Sequence, residues 1–172
     1  MTFQSTVSLS QGFGVPGELF TNSPSRAQSF TLYSAGQTHV IGAKAYTIIS
    51  QGLATPGGTG VFAGVLANPK VAPLQGTSVG GSLAPTLVLA NYAQADIVSM
   101  GTMTVTLVTT LASPGWPVIY NNTTGLLTAI PIGDPLPVGS TFANAVVDYF
   151  SFDAGNLAVI TLSPYLIAPV LA

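Results

Sequence analysis

The chain has 172 residues, of which 5% are charged, and its net charge at pH 7 is −2. Because only 3 residues are Lys or Arg, the chain lacks the basic footprint with which proteins bind nucleic acid directly. The absence of cysteine excludes disulfides, thiolate catalysis and zinc bound through sulfur.

The shortage of charge predicts protein partners. Soluble domains carry charges at about a quarter of their positions and use them to stay dispersed, whereas the mean hydropathy here is +0.58. The outer surface must therefore consist of hydroxyl, amide, glycine and apolar groups. Since large uncharged surfaces are usually covered by other protein, we expect copies of the chain or a larger assembly to cover much of this one.

The same apolarity does not predict a membrane partner. The most apolar stretch, residues 157–171, contains Pro164 and Pro169 and is shorter than the roughly 20 residues of a spanning helix. The first residues lack the basic region and apolar core of a secretory signal. We expect no membrane association.

Residues 1–29 are expected to form an extended N-terminal arm. Glycines and prolines between positions 12 and 24 prevent a long helix and interrupt any strand. The aromatic residues spaced along the arm either enter pockets on a neighbouring surface or fold back on the protein's own core. The arm residues predicted to contact a partner are Phe3, Phe13, Val15, Pro16, Glu18, Phe20 and Arg26.

Two of these arm residues, Glu18 and Arg26, are charged. A salt bridge to a partner would set the register in which the arm docks. The alternative is that both are solvated charges on a loop.

Residues 30–172 are expected to form a single β domain. Residues 30–33 and 45–49 are rich in aromatic and β-branched side chains, which are typical of strands. The glycines of residues 52–60 indicate a loop.

A compact apolar run, residues 61–67, predicts a buried strand. Asn68 and Pro69 end it, because proline lacks an N–H donor and restricts the residue before it. The Gly- and Ser-rich residues 71–85 predict a long surface loop used for contacts.

The clearest alternation in the chain is residues 102–107, Thr-Met-Thr-Val-Thr-Leu. Apolar residues at every second position predict a half-buried strand with its threonines on the outer face. Just before it, residues 90–99 weakly allow a helix.

Two hairpins are predicted in the last third of the chain. Residues 116–120 and 126–130 are apolar runs divided by an Asn/Thr/Gly cluster, and Asn and Gly adopt positive φ at little cost. Residues 145–152 and 157–162 form the second pair, expected at the edge or closure of the fold. Many short strands separated by turns predict an all-β, jelly-roll-like β-sandwich or barrel.

No motif predicts catalysis. Residues 58–63 match the letters of the dinucleotide fingerprint, but they lead into a strand instead of the helix that would face a pyrophosphate. His39 is the single histidine, and a lone histidine is far more often structural than catalytic, so a structural role is the simpler interpretation. The acidic residues are scattered, so we expect no catalytic pair, no metal and no cofactor.

Residues 11–19 and 60–70 resemble the structural cement proteins of tailed bacteriophage heads. Residues 116–120 with the following Asn-Thr-Gly cluster, and the closing strand 157–162, are similar in style to head decoration proteins. The resemblance implies a jelly-roll-like protein that binds the outside of an icosahedral shell and ties neighbouring capsomers together. It implies no catalytic residues.

We therefore predict a non-enzymatic structural virion protein on the outer surface of a phage capsid. Its expected partners are the major capsid protein and copies of itself, as a dimer or trimer. The alternative is a carbohydrate-binding or adhesin-type β-sandwich, for which Trp116, Tyr120 and Asn121 are the candidate residues. A small hydrolase is a more distant third.

Overall fold

The computed structural model describes residues 14–20, 24–68, 88–151 and 156–164. Within these ranges all regular structure is β-strand, and no helix there could reach across a lipid bilayer. The strands are β1 Arg26–Leu32, β2 His39–Val40, β3 Ala45–Ser50, β4 Leu53–Pro56, β5 Val61–Leu66, β6 Val88–Leu89, β7 Gln94–Thr106, β8 Pro117–Asn121, β9 Leu127–Ala129, β10 Ser140–Ser151 and β11 Leu157–Leu162.

Strands β1, β4, β3, β5 and β7 close into a barrel, because β7 pairs with both β5 and β1. β1 and β4 run parallel, and the other neighbours in this ring are antiparallel. Closing a sheet on itself pairs edges that would otherwise be open. The predicted all-β class is confirmed, and the jelly-roll-like arrangement stays a prediction.

Strand β7 is shared by two parts of the sheet. Its residues 94–100 pair with β1, and its residues 101–106 pair with β11. From β11 the sheet continues through β10 and β8 to β9. Residues 102–106 of the predicted strand 102–107 thus belong to the second half of a strand of 13 residues.

Two clusters of buried side chains fill the two parts. The first cluster is made mainly of residues from the barrel strands, and the second packs against β7, β8, β10 and β11. Large members of the first are Phe30, Leu32, Tyr46, Leu66 and Ile97. Large members of the second are Met103, Val105, Tyr120, Leu127 and Ile160.

Gly64 allows β5 to lie close to β7. Its φ is +135°, a conformation that side-chain-bearing residues rarely adopt. A Cβ atom built there would collide with the carbonyl oxygen of Val98. The glycine in the centre of the predicted strand is therefore a packing requirement.

The described part of the arm lies along β7 as a short additional strand. Leu19 pairs with Met103, and Phe20 donates its backbone N–H to the carbonyl of Thr102 at 2.9 Å. Thr104, whose backbone N–H and C=O both bond to this segment, is fully buried. The expectation that the threonines of this strand all face outward was therefore wrong for Thr104.

Strand β1 begins at Arg26, so residues 26–29, assigned to the arm from sequence, belong to the barrel. The predicted strand at 61–67 and both predicted hairpins are confirmed. The predicted loop at 71–85 lies outside the described residues.

Three local expectations were wrong. The possible helix at 90–99 is mostly strand, since β7 begins at Gln94. The loop predicted at 52–60 contains β4, which pairs with β3. Of the two positions expected for the second hairpin, the edge is wrong, because β11 lies between β7 and β10, and closure of the fold stays an expectation.

Candidate functional site

The described residues provide no catalytic constellation. Among them, no group of three or more His, Cys, Asp or Glu could hold a metal ion. Residues 58–63, which match the dinucleotide fingerprint, lead into β5. A strand lacks the helical N-terminus on which pyrophosphate would sit.

The residues proposed for carbohydrate binding do not form a platform. Tyr120 is fully buried and stacks on Phe62, with ring centroids 5.9 Å apart. Trp116 is partly buried against the second cluster. The Asn121 Oδ1 atom accepts hydrogen bonds from the backbone of the following turn, so this side chain stabilises the hairpin.

His39 belongs to a buried polar cluster. Its Nδ1 atom lies 3.2 Å from the Tyr46 hydroxyl and its Nε2 atom 3.1 Å from Oδ1 of Asn91. An amide oxygen only accepts, so Nε2 carries the proton and Nδ1 accepts from the tyrosine. Burial lowers the pKa of His39, the Asn91 hydrogen bond opposes this, and the charge of Lys44 lowers it further.

Lys44 is buried beside this cluster. Its Nζ atom donates to the Thr38 carbonyl at 2.8 Å and to Oε1 of Gln37 at 3.3 Å. Burial lowers the pKa of this amine and raises that of the Tyr46 hydroxyl. The hydrogen-bond partners of His39 and Lys44 named here are neutral and belong to this same cluster, so we assign the cluster a structural role.

Segment 14–20 presents apolar side chains to solvent. Val15 is 46% exposed and Phe20 is 40% exposed, although the backbone between them is fixed to β7. The Val15 N–H donates to Oε2 of Glu18 at 3.1 Å, and the Glu18 N–H donates back to the Val15 carbonyl at 3.0 Å. The structure thus brings Val15 and Glu18 together in one tight turn, with Pro16 partly buried inside it.

Arg26 lies apart from this turn, at the exposed start of β1. Its Nε–H donates to Oγ of Ser99 at 3.1 Å. The other two predicted contact residues, Phe3 and Phe13, lie outside the described residues.

A second apolar surface was missed by the sequence analysis. We call residues 131–139 the proline loop. It holds Ile132 at 68% exposure, Leu136 at 40% and Val138 at 104%. The signal in the sequence was the interleaving of prolines with large apolar residues, since proline prevents regular pairing and leaves its neighbours outside a core.

Comparison with known proteins gives one family. Residues 3–163 match the family described as Structural cement protein (E217 gp24/Pam3 gp6). A comparison with curated proteins finds no match.

The fold resembles a solved chain from the capsid of the Myoviridae phage XM1. The TM-score is 0.60 at 19% sequence identity, and the alignment covers 96% of this chain and 100% of that one. At this identity the likeness concerns the fold. The family match spans nearly the whole chain and shows the family and the role. The chain belongs to the phage structural cement proteins, and it is a capsid-associated structural protein of the virion, not an enzyme.

Proposed function

We propose that the protein binds the outer surface of the phage shell, contacts the major capsid protein and joins neighbouring capsomers. The observation that carries this proposal is the exposed proline loop, whose Ile132 and Val138 side chains lie mostly in water. Exposed apolar groups on a chain with 5% charged residues favour a surface that is covered when the protein works.

Each copy needs to contribute only modestly to shell stability. Apolar surface removed from water contributes about 25 cal/mol per Å² before ordering costs are subtracted. Many copies on one shell add their contributions. An interface with few charges is also little screened by salt, which suits a particle that meets varied media.

We propose further that residues 1–29, the predicted arm together with the first residues of β1, take part in this contact, and that copies associate as a dimer or trimer. Support for the arm comes from Val15 and Phe20, which are exposed on a segment whose backbone is fixed. A side chain on a backbone that is already fixed binds without a further cost of ordering the backbone. The proposed contact residues are Phe3, Phe13, Val15, Pro16, Glu18, Phe20 and Arg26.

The test uses purified protein and bare, expanded phage shells. We expect the protein to sediment with the shells and to raise the temperature at which they come apart. Sedimentation equilibrium of the free protein measures its self-association. Failure to co-sediment, together with an unchanged disruption temperature, would contradict the proposed function.

A further inference from the structure

One groove in the described part of the chain lies at a mouth of the barrel. Its volume is about 470 Å³, and its floor includes the buried Phe30. Ile48 and Phe62 line the opposite wall, on β3 and β5. The groove therefore has an apolar base, with the first residues of β1 along one side.

The side of the groove formed by β1 has an open backbone edge. Alternate residues of a strand direct their backbone groups to opposite sides, and Thr31 donates to the Gly52 carbonyl at 2.8 Å on the side of β4. This alternation directs the N–H and C=O groups of Ala27 and Ser29 to the side of β4, as in Thr31. Strand β4 pairs with β1 only at Thr31 and Leu32, so no strand among the described residues covers the edge beside Ala27 and Ser29.

Arg26 supplies a positive charge at the end of this edge. Its Nε–H donates to the neutral hydroxyl of Ser99, which holds the guanidinium at the groove. The acidic residue of the neighbouring strand, Asp96, is hydrogen-bonded to the hydroxyl of Ser29. Ser29 and Phe30 are consecutive in the strand and point to opposite faces, so Asp96 lies on the face away from the groove floor.

We propose that an extended, acidic segment of the shell protein adds to the open edge of β1 as a further strand. Main-chain hydrogen bonds to Ala27 and Ser29 hold it, a carboxylate of the segment binds Arg26, and an apolar side chain lies over Phe30. Strand addition of this kind takes affinity from the backbone and selectivity from the side-chain pockets. The identity of the partner rests on the proposed function.

A second copy of this chain fits the edge less well. Its own β1, Arg26–Leu32, contains no acidic residue. Pairing β1 with β1 would leave both arginines without a carboxylate. Guanidinium groups bind carboxylates through paired, charge-assisted hydrogen bonds, which favours an acidic partner segment.

The test compares binding of full-length variants to bare, expanded shells. Arg26→Gln removes the charge, and Arg26→Lys keeps it as the matched control. Ala27→Pro removes an outward N–H at a position where an edge strand tolerates proline, and Ala27→Ser keeps that N–H. We expect Arg26→Gln and Ala27→Pro each to weaken binding about tenfold or more, while both controls stay closer to the wild type.

Thermal unfolding checks that each variant is folded. A photo-cross-linking residue at position 29 identifies the occupant independently of any loss of stability. Cross-links to the shell protein support the proposal, and cross-links to another copy of this chain overturn it.

The outcomes separate this inference from the proposed function. If the wild type binds shells and the folded Arg26→Gln and Ala27→Pro variants bind equally well, the strand-addition site is wrong and the proposed function stands. If the wild type itself does not bind shells, the proposed function fails and this inference fails with it.

Discussion

Gly17 donates its backbone N–H to the carbonyl oxygen of Thr104 at 2.7 Å, and this bond ties the N-terminal segment to the strand shared by both parts of the sheet. The Thr104 N–H in turn donates to the Glu18 carbonyl at 2.9 Å. The segment is thus part of the folded sheet up to Phe20, and its backbone is fixed where it exposes Val15 and Phe20.

Replacing Phe20 tests whether this segment contacts the shell. We expect Phe20→Ser to weaken shell binding about tenfold, because an aromatic side chain at an interface contributes disproportionately to affinity. The free energy of unfolding should change by no more than about 1 kcal/mol. Phe30→Ser is the control for folding: Phe30 is 3% exposed, so this change should destabilise the protein by about 3 kcal/mol or more. Unchanged shell binding by Phe20→Ser would exclude this side chain from the contact.

Gly64→Ala is expected to destabilise the barrel strongly. The new methyl group would collide with the Val98 carbonyl, and the φ of +135° is strained for alanine. We expect a loss of more than about 2 kcal/mol in the free energy of unfolding, measured with denaturant. Gly36→Ala is the matched control, since its φ is +88° but no atom lies within 4 Å of the added Cβ. Equal losses at the two positions would show that backbone strain, and not the close approach of β5 to β7, sets the cost.

His39 should make the protein sensitive to mild acid. Burial lowers its pKa in the folded state below the ordinary value of 6.5, so the unfolded chain takes up the proton first as the pH falls. The stabilising contribution is complete above about pH 6.5 and is lost progressively as the pH falls towards the folded-state pKa. The free energy of unfolding should therefore decrease as the pH is lowered from about 7.5 to about 5.5. His39→Gln should flatten that decrease, and an identical pH profile would contradict the assignment.

A charge on the proline loop should reduce shell binding without unfolding the protein. Val138 is fully exposed, so Val138→Asp should leave the melting temperature nearly unchanged. If the proline loop contacts the shell, binding would bury the carboxylate of the new aspartate. Burying an unpaired charge is unfavourable, so binding should weaken about tenfold or more. Val88→Asp, which changes an exposed valine on strand β6, is the matched control. Equal binding by both variants would place the contact elsewhere.

The amino-acid sequence determined the class of the protein and the positions of several strands. Residues 61–66 and the two C-terminal hairpins were identified correctly, because apolar runs, period-two alternation and turn residues are local properties of the chain. The low charge by itself indicated a covered surface, since charge content does not depend on the fold. The resemblance at residues 11–19 and 60–70 pointed to the family that the match over residues 3–163 shows.

Tertiary structure alone decided which strands are neighbours. β1 pairs with a strand far along the chain, Phe30 with Ala95, and it also runs parallel to β4. Neither pairing leaves a local pattern in the sequence, because the backbone of a strand can form its hydrogen bonds with many partners. The open edge beside Arg26 follows from those pairings, and the burial of Thr104 is likewise decided by tertiary packing. Local chemistry therefore determined that the chain forms strands, and long-range packing determined which of their surfaces remain available for a partner.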